Sequence, residues 1–208
     1  MNYYSQFGQD KFIYETYFKM LGKRDGTFLD IGASHPEHLN NTLFFEKLGW
    51  TGVAIEPMEE DYTLLKEHRK CICENVAISP TSGTREFLQL TGYTKVLSGF
   101  VDSYDPRHRE RINRELSQFG GTQEIINVRC LSLGDLLEKH SITHIDYMSL
   151  DTEGSELEIL QSIDFNKTPI TCISVENNYK DDRLPQFLAS KNYKKVADLG
   201  CDEIYYKA

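Results

Sequence analysis

The chain has 208 residues and a formal net charge of −9. This length suffices for one α/β domain around a single core but not comfortably for two. The charge argues against a nucleic-acid backbone as the main partner, whereas a nucleotide-sized ligand remains compatible with it.

The cysteines and the absence of targeting signals give an expected location. The sequence contains no run of about 18 apolar residues, so we expect no membrane span. The first residues also lack the basic-then-apolar order of a signal peptide. The five cysteines include no CxxC pair, which favours reduced thiols over a disulfide or a zinc site. We therefore expect a cytoplasmic protein. The sequence leaves homo-oligomer formation open.

The first part of the chain alternates between helix-like and strand-like segments, which favours a parallel sheet flanked by helices. In the first helix, Ile13, Tyr17 and Met20 recur at helical spacing. The predicted elements are a helix over 10–21, a strand over 27–32, a helix over 41–48, a strand over 52–56, a helix over 59–68, a strand over 71–78 and an extended piece over 85–90.

Residues 92–121 break this alternation. Their charged, helix-like centre predicts an inserted lid or substrate-facing element within a single domain of residues 1–208. The elements expected after it are an extended piece over 124–130, a helix over 132–140, a strand over 145–151, a helix over 155–163, a strand over 170–176, a helix over 182–191 and a hairpin of 193–199 with 203–207.

Two residues mark the carboxyl ends of the first two predicted strands, where open α/β sheets bind ligands. Gly32 has no Cβ, so the backbone can approach a ligand there, and Glu56 can accept both hydroxyl hydrogens of a ribose. The turn after Gly32 lacks the further glycines that seat a pyrophosphate on a helix, which counts against a dinucleotide. The alternative is that Gly32 ends a strand in an ordinary turn.

Four strings carry a family resemblance: SQFGQD at 5–10, FLDIGA at 28–33, GWTGVAIEP at 49–57 and IDYMSLDTEGSE at 145–156. Together they resemble FkbM-type methyltransferases from about residue 5 onward, except over 92–121 and in the Ser34-His35-Pro36 turn. The resemblance implies a Rossmann-like class I methyltransferase sheet, mostly parallel with a C-terminal antiparallel hairpin strand. It also implies S-adenosylmethionine as cofactor and O-methylation of sugar or natural-product hydroxyls.

The resemblance also implies which residues surround the cofactor. Gln6, Gly8 and Gln9 are expected over the methionine end, and Glu56 at the ribose. Asp10, next to them, also suits a plain helix N-terminus. The remaining expected cofactor residues are Asp30, Gly32, Ala33, Pro57, Asn75, Val76, Ala77 and Asp151.

Carboxylates at two neighbouring strand ends predict the reacting half of the site. Asp151 ends one predicted strand, and Glu176 and Asn177 end the next, an arrangement that resembles the divalent-metal site of catechol-type O-methyltransferases. With Glu153, these oxygen ligands suit Mg²⁺ or Mn²⁺, and adding His35 would shift the preference towards Mn or Fe. The alternatives are a helix N-terminal acid for Glu153 and turn residues for Asn177.

A hydroxyl acceptor must also lose its proton, so His35 and Asp151 are the candidate catalytic residues. A loop histidine such as His35 can equally be plain polar surface. The basic residues between Arg107 and Arg114, His108 included, suit a solvated helix face or, alternatively, a grip on phosphates.

The expected acceptor is a small molecule, with a sugar or nucleotide-sugar for surface polysaccharide as the first candidate by family analogy. The alternative functions are an NAD(P)-dependent oxidoreductase and a non-catalytic methyltransferase-like subunit.

Overall fold

The computed structural model describes residues 2–208. Its strands are β1 (Thr27–Ile31), β2 (Thr51–Ile55), β3 (Ile72–Glu74), β4 (Ala77–Ile78), β5 (Gly83–Leu90), β6 (Gly99–Phe100), β7 (Gln123–Leu131), β8 (Ile145–Leu150), β9 (Ile170–Glu176), β10 (Tyr193–Leu199) and β11 (Asp202–Lys207). Its helices are α1 (Gln9–Ile13), α2 (Leu43–Lys47), α3 (Glu59–His68), α4 (Pro106–Phe119), α5 (Leu133–Lys139), α6 (Glu156–Ser162) and α7 (Arg183–Ser190).

The main sheet has seven strands in the order β10-β11-β9-β8-β1-β2-β3. Neighbours from β9 to β3 are parallel, and β11 runs antiparallel to both β9 and β10. The predicted Rossmann-like class I methyltransferase sheet, mostly parallel with an antiparallel hairpin strand, is therefore confirmed. Its order reverses between β1 and β8, so the carboxyl ends of these two strands form the edge where such sheets bind ligands.

The predicted strand over 71–78 is wrong as a single element. β3 joins the main sheet, whereas β4 joins a second sheet of order β4-β7-β5-β6. Between them, Asn75 donates its side-chain amide to the carbonyl oxygens of Glu56 and Pro57, each at 3.2 Å. These bonds tie the chain to the end of β2 and let it leave the main sheet.

The predicted helix over 10–21 is also wrong in its length. α1 continues into a π-helical turn over Tyr14–Phe18, in which the Lys19 amide donates to the Tyr14 carbonyl at 2.8 Å. The wider turn shifts the helical register, so Phe18 is 1 % exposed whereas Met20 is 85 % exposed.

Apolar side chains cover both faces of the main sheet, as parallel sheets require. Leu29 and Ile31 of β1 belong to the cluster on one face, and Phe28 belongs to the aromatic cluster on the other. In that aromatic cluster, Trp50 packs against Phe18 and Phe45 with ring centroids 4.9 and 4.8 Å apart. The sheet is thereby fixed, and its carboxyl edge provides a rigid base for a site. None of the helices in residues 2–208 has the length and apolar character needed to cross a membrane.

Candidate active site

A cavity of about 450 Å³ lies at the carboxyl ends of β1, β2, β8 and β9, partly covered by the second sheet. Its volume is within the range of roughly 300–1,000 Å³ usual for small-molecule sites. The predicted site residues that line it are Gln6, Asp30, Gly32, Ala33, His35, Glu56, Pro57, Val76, Ala77, Asp151, Glu153 and Glu176.

Gly32 brings the ends of β1 and β8 together. Its φ is +81°, and a Cβ at this position would overlap the backbone oxygen of Asp151. The Gly32 and Ala33 amides both donate to the Ile55 carbonyl at 3.0 Å. Glycine is therefore required here by backbone conformation and by close approach of two strands.

Glu56 ends the second strand and is 5 % exposed. Its Oε2 accepts the Ser34 amide at 2.9 Å and its Oε1 accepts the Met58 amide at 2.8 Å. Burial raises the pKa of Glu56 to about 7, although both hydrogen bonds act in the opposite direction. Each oxygen has a second lone pair, so the ionised side chain retains acceptor capacity for ribose hydroxyls.

A buried polar network holds the turn after β1, and it was not predicted from the sequence. Asn40 donates its amide to the carbonyl oxygens of Ala33 and His35 at 3.2 and 3.1 Å. Arg69 donates to Asn40 Oδ1 and Thr42 Oγ1 at 3.1 and 3.0 Å. The Thr42 hydroxyl in turn donates to Asp30 Oδ2 at 2.6 Å. The polar residues just before the apolar start of α2 were the available signal, because Asn40 Oδ1 accepts the amide of Leu43, the first residue of that helix, at 2.8 Å.

The carboxylates of Asp151, Glu153 and Glu176 converge in the cavity. Each offers one oxygen, and these three oxygens lie within 4.8 Å of one another. Burial raises the pKa of each well above its usual value, and neighbouring charges add to it: Asp202 and Glu156 at Asp151, and Asp151 at both Glu153 and Glu176. Within residues 2–208, Glu153 Oε2 is buried without a hydrogen-bond partner. Three hard oxygen donors with an unsatisfied acceptor fit a divalent cation such as Mg²⁺ or Mn²⁺.

His35 is exposed at the cavity and is not a member of this carboxylate group. Its Nδ1 accepts the amides of Glu37 and His38 at 3.1 and 2.9 Å. In the neutral ring the proton is then on Nε2, which is a donor and offers no lone pair to a metal or an acceptor proton.

Asn177 is not brought to the cavity, whereas its neighbour Asn178 is. The Asn177 amide donates to Glu203 Oε1 at 3.2 Å and to the Asp181 carbonyl at 3.3 Å, and its Oδ1 accepts the Asp181 amide at 2.7 Å. Successive side chains alternate between opposite sides of an extended segment, so Glu176 and Asn177 point in different directions.

Three further residues that were predicted to contact the cofactor do not line the cavity: Gly8, Gln9 and Asn75. Gln9 is 2 % exposed and donates its amide to Asp202 Oδ2 at 2.6 Å, across 193 residues of sequence. Gly8 has a φ of +81° immediately before α1. Asn75 holds the end of β2 through the bonds described above. These residues position the lining segments and do not line the cavity themselves.

The predicted solvated face of α4 is wrong for two residues. His108 is 1 % exposed and stacks on Tyr104 at 4.8 Å, and its Nδ1 lies 3.6 Å from Glu153 Oε2. Arg111 lines the cavity and pairs with Glu115 at 2.8 Å. Arg107 does lie at the surface, where it pairs with Asp105. His108 and Ile112 are the buried residues of α4. A helix that is charged overall can thus bury one face, and Arg107 lies outside that face.

Comparison with known families gives a match over residues 30–195 to the methyltransferase FkbM domain. The chain belongs to the FkbM methyltransferase family. The matched range of this FkbM methyltransferase contains Gly32, Glu56 and the three converging carboxylates. Of the residues lining its cavity, only Gln6, Phe7 and Cys201 lie outside that range.

No curated protein matches this FkbM methyltransferase. Among solved structures it is similar to the METTL16 methyltransferase domain, with a TM-score of 0.46 and 14 % identity over 96 % of this chain and 64 % of that one. It is also similar to M. capricolum TrmK, solved with S-adenosylhomocysteine, with a TM-score of 0.38 and 14 % identity over 91 % and 66 %. The chain thus spans about two thirds of the length of either structure.

Proposed function

We propose that this chain transfers a methyl group from S-adenosylmethionine to a hydroxyl of a small acceptor, with a sugar or nucleotide-sugar as the first candidate. One observation carries the proposal: a single cavity contains the Gly32 turn, the buried Glu56 carboxylate and the three converging carboxylates. A nucleoside-binding half and a reacting half therefore share one enclosed space.

The residues present suit the cofactor. Glu56 would accept the ribose hydroxyls, and the backbone at Gly32 and Ala33 permits close approach. Val76 and Ala77 provide an apolar wall for the adenine, and Gln6 reaches the cavity at the proposed methionine end. When bound, the cofactor supplies an already activated methyl group, so the main task of the protein is to align the acceptor oxygen with it.

We further propose that Asp151, Glu153 and Glu176 hold Mg²⁺ or Mn²⁺. A metal there would lower the pKa of an acceptor hydroxyl. Without a metal, Asp151 is the candidate general base, because it lines the cavity at the end of β8. Use of His35 as base or ligand, and with it the shift of metal preference towards Mn or Fe, would require the ring to give up its hydrogen bonds to the Glu37 and His38 amides.

The test has two steps. Calorimetry with S-adenosylhomocysteine and with NADH first identifies the cofactor, and preferential NADH binding would favour an oxidoreductase. Methyl transfer is then screened over sugars and nucleotide-sugars with and without Mg²⁺, Mn²⁺ and Fe²⁺. Activity that survives exhaustive EDTA dialysis would reject the metal. Tight S-adenosylhomocysteine binding without turnover on any hydroxyl acceptor would favour a non-catalytic subunit.

A further inference from the structure

The charges around the cavity are poorly suited to a phosphorylated acceptor. Six carboxyl side chains line it, against two cationic ones, Lys95 and Arg111. Lys95 Nζ already lies 2.9 Å from both Glu60 and Asp61, and Arg111 is paired with Glu115. Both lining cations are therefore already bound to acids, and a diphosphate would have only the proposed metal ion to hold it.

The mouth of the cavity, in contrast, carries exposed apolar side chains. Phe7, Leu39 and Val96 line the cavity, although they are 43, 44 and 58 % exposed. Val96 follows Lys95, which is bound to α3, and so lies on the nucleoside side. Clustered exposed apolar side chains beside a cavity mark a contact with a ligand or partner more often than scattered ones do.

Phe7 is held beside the reacting half of the site. Its ring lies against Gly200, where a Cβ would overlap the ring atoms, and its amide donates to Gln9 Oε1 at 2.8 Å. The next residue after Gly200, Cys201, lines the cavity, and its carbonyl accepts the Asn177 amide at 2.9 Å. The ring therefore packs on the turn between β10 and β11, and this turn is hydrogen-bonded to the chain just after Glu176 at the end of β9.

Leu39 is held at the same mouth in an unfavourable backbone conformation. Its φ is +57°, a region in which residues with a Cβ are uncommon. A β-bridge between Ser5 and Leu39 joins the Phe7 segment to this loop, and the side chain of the next residue, Asn40, fixes the loop from inside. Phe7 and Leu39 thus border the same cavity on segments that this bridge joins, and we call the two side chains the Phe7–Leu39 rim.

We propose that the acceptor is an uncharged glycoside whose apolar aglycone lies on the Phe7–Leu39 rim while its sugar hydroxyl reaches the carboxylates. This inference rests on the proposed function and selects among its acceptors. The cavity volume is at the lower end of the usual range for ligand sites, so the cofactor takes up most of it. The remainder of the acceptor then extends across the mouth, where the lining is apolar.

The test compares ligand binding to the full chain saturated with S-adenosylhomocysteine. The probes are methyl and octyl β-D-glucoside, the corresponding galactosides, and UDP-glucose, all below micelle-forming concentrations and both with Mg²⁺ and with EDTA. Each buried methylene strengthens binding by about fourfold. We therefore expect the octyl glycosides to bind at least roughly tenfold more tightly than the methyl glycosides, and more tightly than UDP-glucose.

Variants assign the effect to the rim. Phe7→Ala and Leu39→Ala should each reduce the octyl preference severalfold while S-adenosylhomocysteine affinity is retained. Ile125→Ala, which removes an exposed apolar side chain outside the cavity lining, should leave the preference unchanged.

Equal binding of octyl and methyl glycosides, or a preference for UDP-glucose, would overturn the inference. So would binding to phosphatidylcholine vesicles through Phe7 without any octyl preference, which would assign the rim to a bilayer. In each of these cases S-adenosylhomocysteine still binds, whereas loss of that binding in the wild type would contradict the proposed function itself.

Discussion

Burial at the end of β2 raises the pKa of Glu56 to about 7. If Glu56 holds the ribose as proposed, the cofactor affinity should depend on pH. Only the ionised group can accept hydrogen bonds at both oxygens from ribose hydroxyls while keeping its backbone partners. With a pKa of about 7 in the free protein, the affinity for S-adenosylhomocysteine should increase by up to roughly tenfold between pH 6 and pH 8. Isothermal titration calorimetry at the two pH values measures this change.

Glu56→Gln is the matched control. The variant should bind the cofactor product more weakly at pH 8 and show little dependence on pH. If it retained the wild-type slope, another group would be responsible for the titration.

At the scale of elements, the approach of β1 to β8 depends on Gly32. Gly32→Ala would place a methyl group on the Asp151 carbonyl in a left-handed conformation, so we expect a loss of about 2–4 kcal/mol in the free energy of unfolding and no cofactor binding. Urea unfolding measures the loss. Gly134→Ala in α5 is the control, because the added Cβ has free space there, and it should stabilise by up to about 1 kcal/mol.

Arg69 connects the start of β3 to α2 and to the turn after β1. Its guanidinium lies 3.1 Å from Glu46, and together with hydrogen bonds it keeps the pKa of Glu46 below its usual value despite burial. Arg69→Met would leave this carboxylate and Asp30 without their cation. We expect a loss of about 3–5 kcal/mol in the free energy of unfolding.

Chemical denaturation tests this value against Arg183→Met. Arg183 is exposed and pairs with Asp181 at the surface, so its loss should leave the free energy of unfolding nearly unchanged. Similar losses in both variants would show that the network around Arg69 does not hold the turn.

Elements with a clear pattern were predictable, and those that depend on tertiary contacts were not. β9 has the predicted bounds of 170–176 because a buried apolar run ends at polar residues. The division between β3 and β4 depends on the Asn75 amide bonds to another strand, which no local pattern contains. The π-helical turn after α1, which brings Phe18 into the core, is likewise not visible in the sequence, since helical periodicity alone predicts a regular helix through Met20.

For the whole molecule, the acidic cavity predicts a stability that falls as pH rises. Asp151, Glu153 and Glu176 have pKa values raised in the folded state. Their stabilising contribution is therefore complete below about pH 4 and is lost as pH rises through the folded pKa values. His108 acts in the opposite direction, because burial lowers its pKa, but it is one group against several.

The unfolding temperature of the metal-free, cofactor-free protein should accordingly be lower at pH 8 than at pH 5.5, by about 5 °C or more. Differential scanning calorimetry at the two pH values provides the measurement. Glu153→Gln should reduce the difference, because it removes one of the repelling charges. A wild-type unfolding temperature that rises towards pH 8 would contradict the charge distribution described for the cavity.

The sequence predicted which strand ends form the candidate site. It predicted only in part which side chains point into the cavity. Residues at the ends of β1, β2, β8 and β9 reach the cavity because parallel strands end at one edge. The orientation of Asn177 could not be predicted from sequence, because it is decided by Glu203, which is distant in the chain. The burial of His108 could not be predicted either, because it depends on the approach of Glu153 from another loop.

The hydrogen bond between Gln9 and Asp202 has a consequence for synthesis. Chains emerge from the ribosome from the amino end, and early segments begin to fold first. Cys201 lines the cavity together with Gln6, and Asp202 accepts the hydrogen bond from Gln9. A nascent chain that already contains the Gly32 turn and Glu56 therefore still lacks one wall of the cavity. A chain that lacks residues 201 and 202 would be without this wall, so we expect it to bind the proposed cofactor much more weakly.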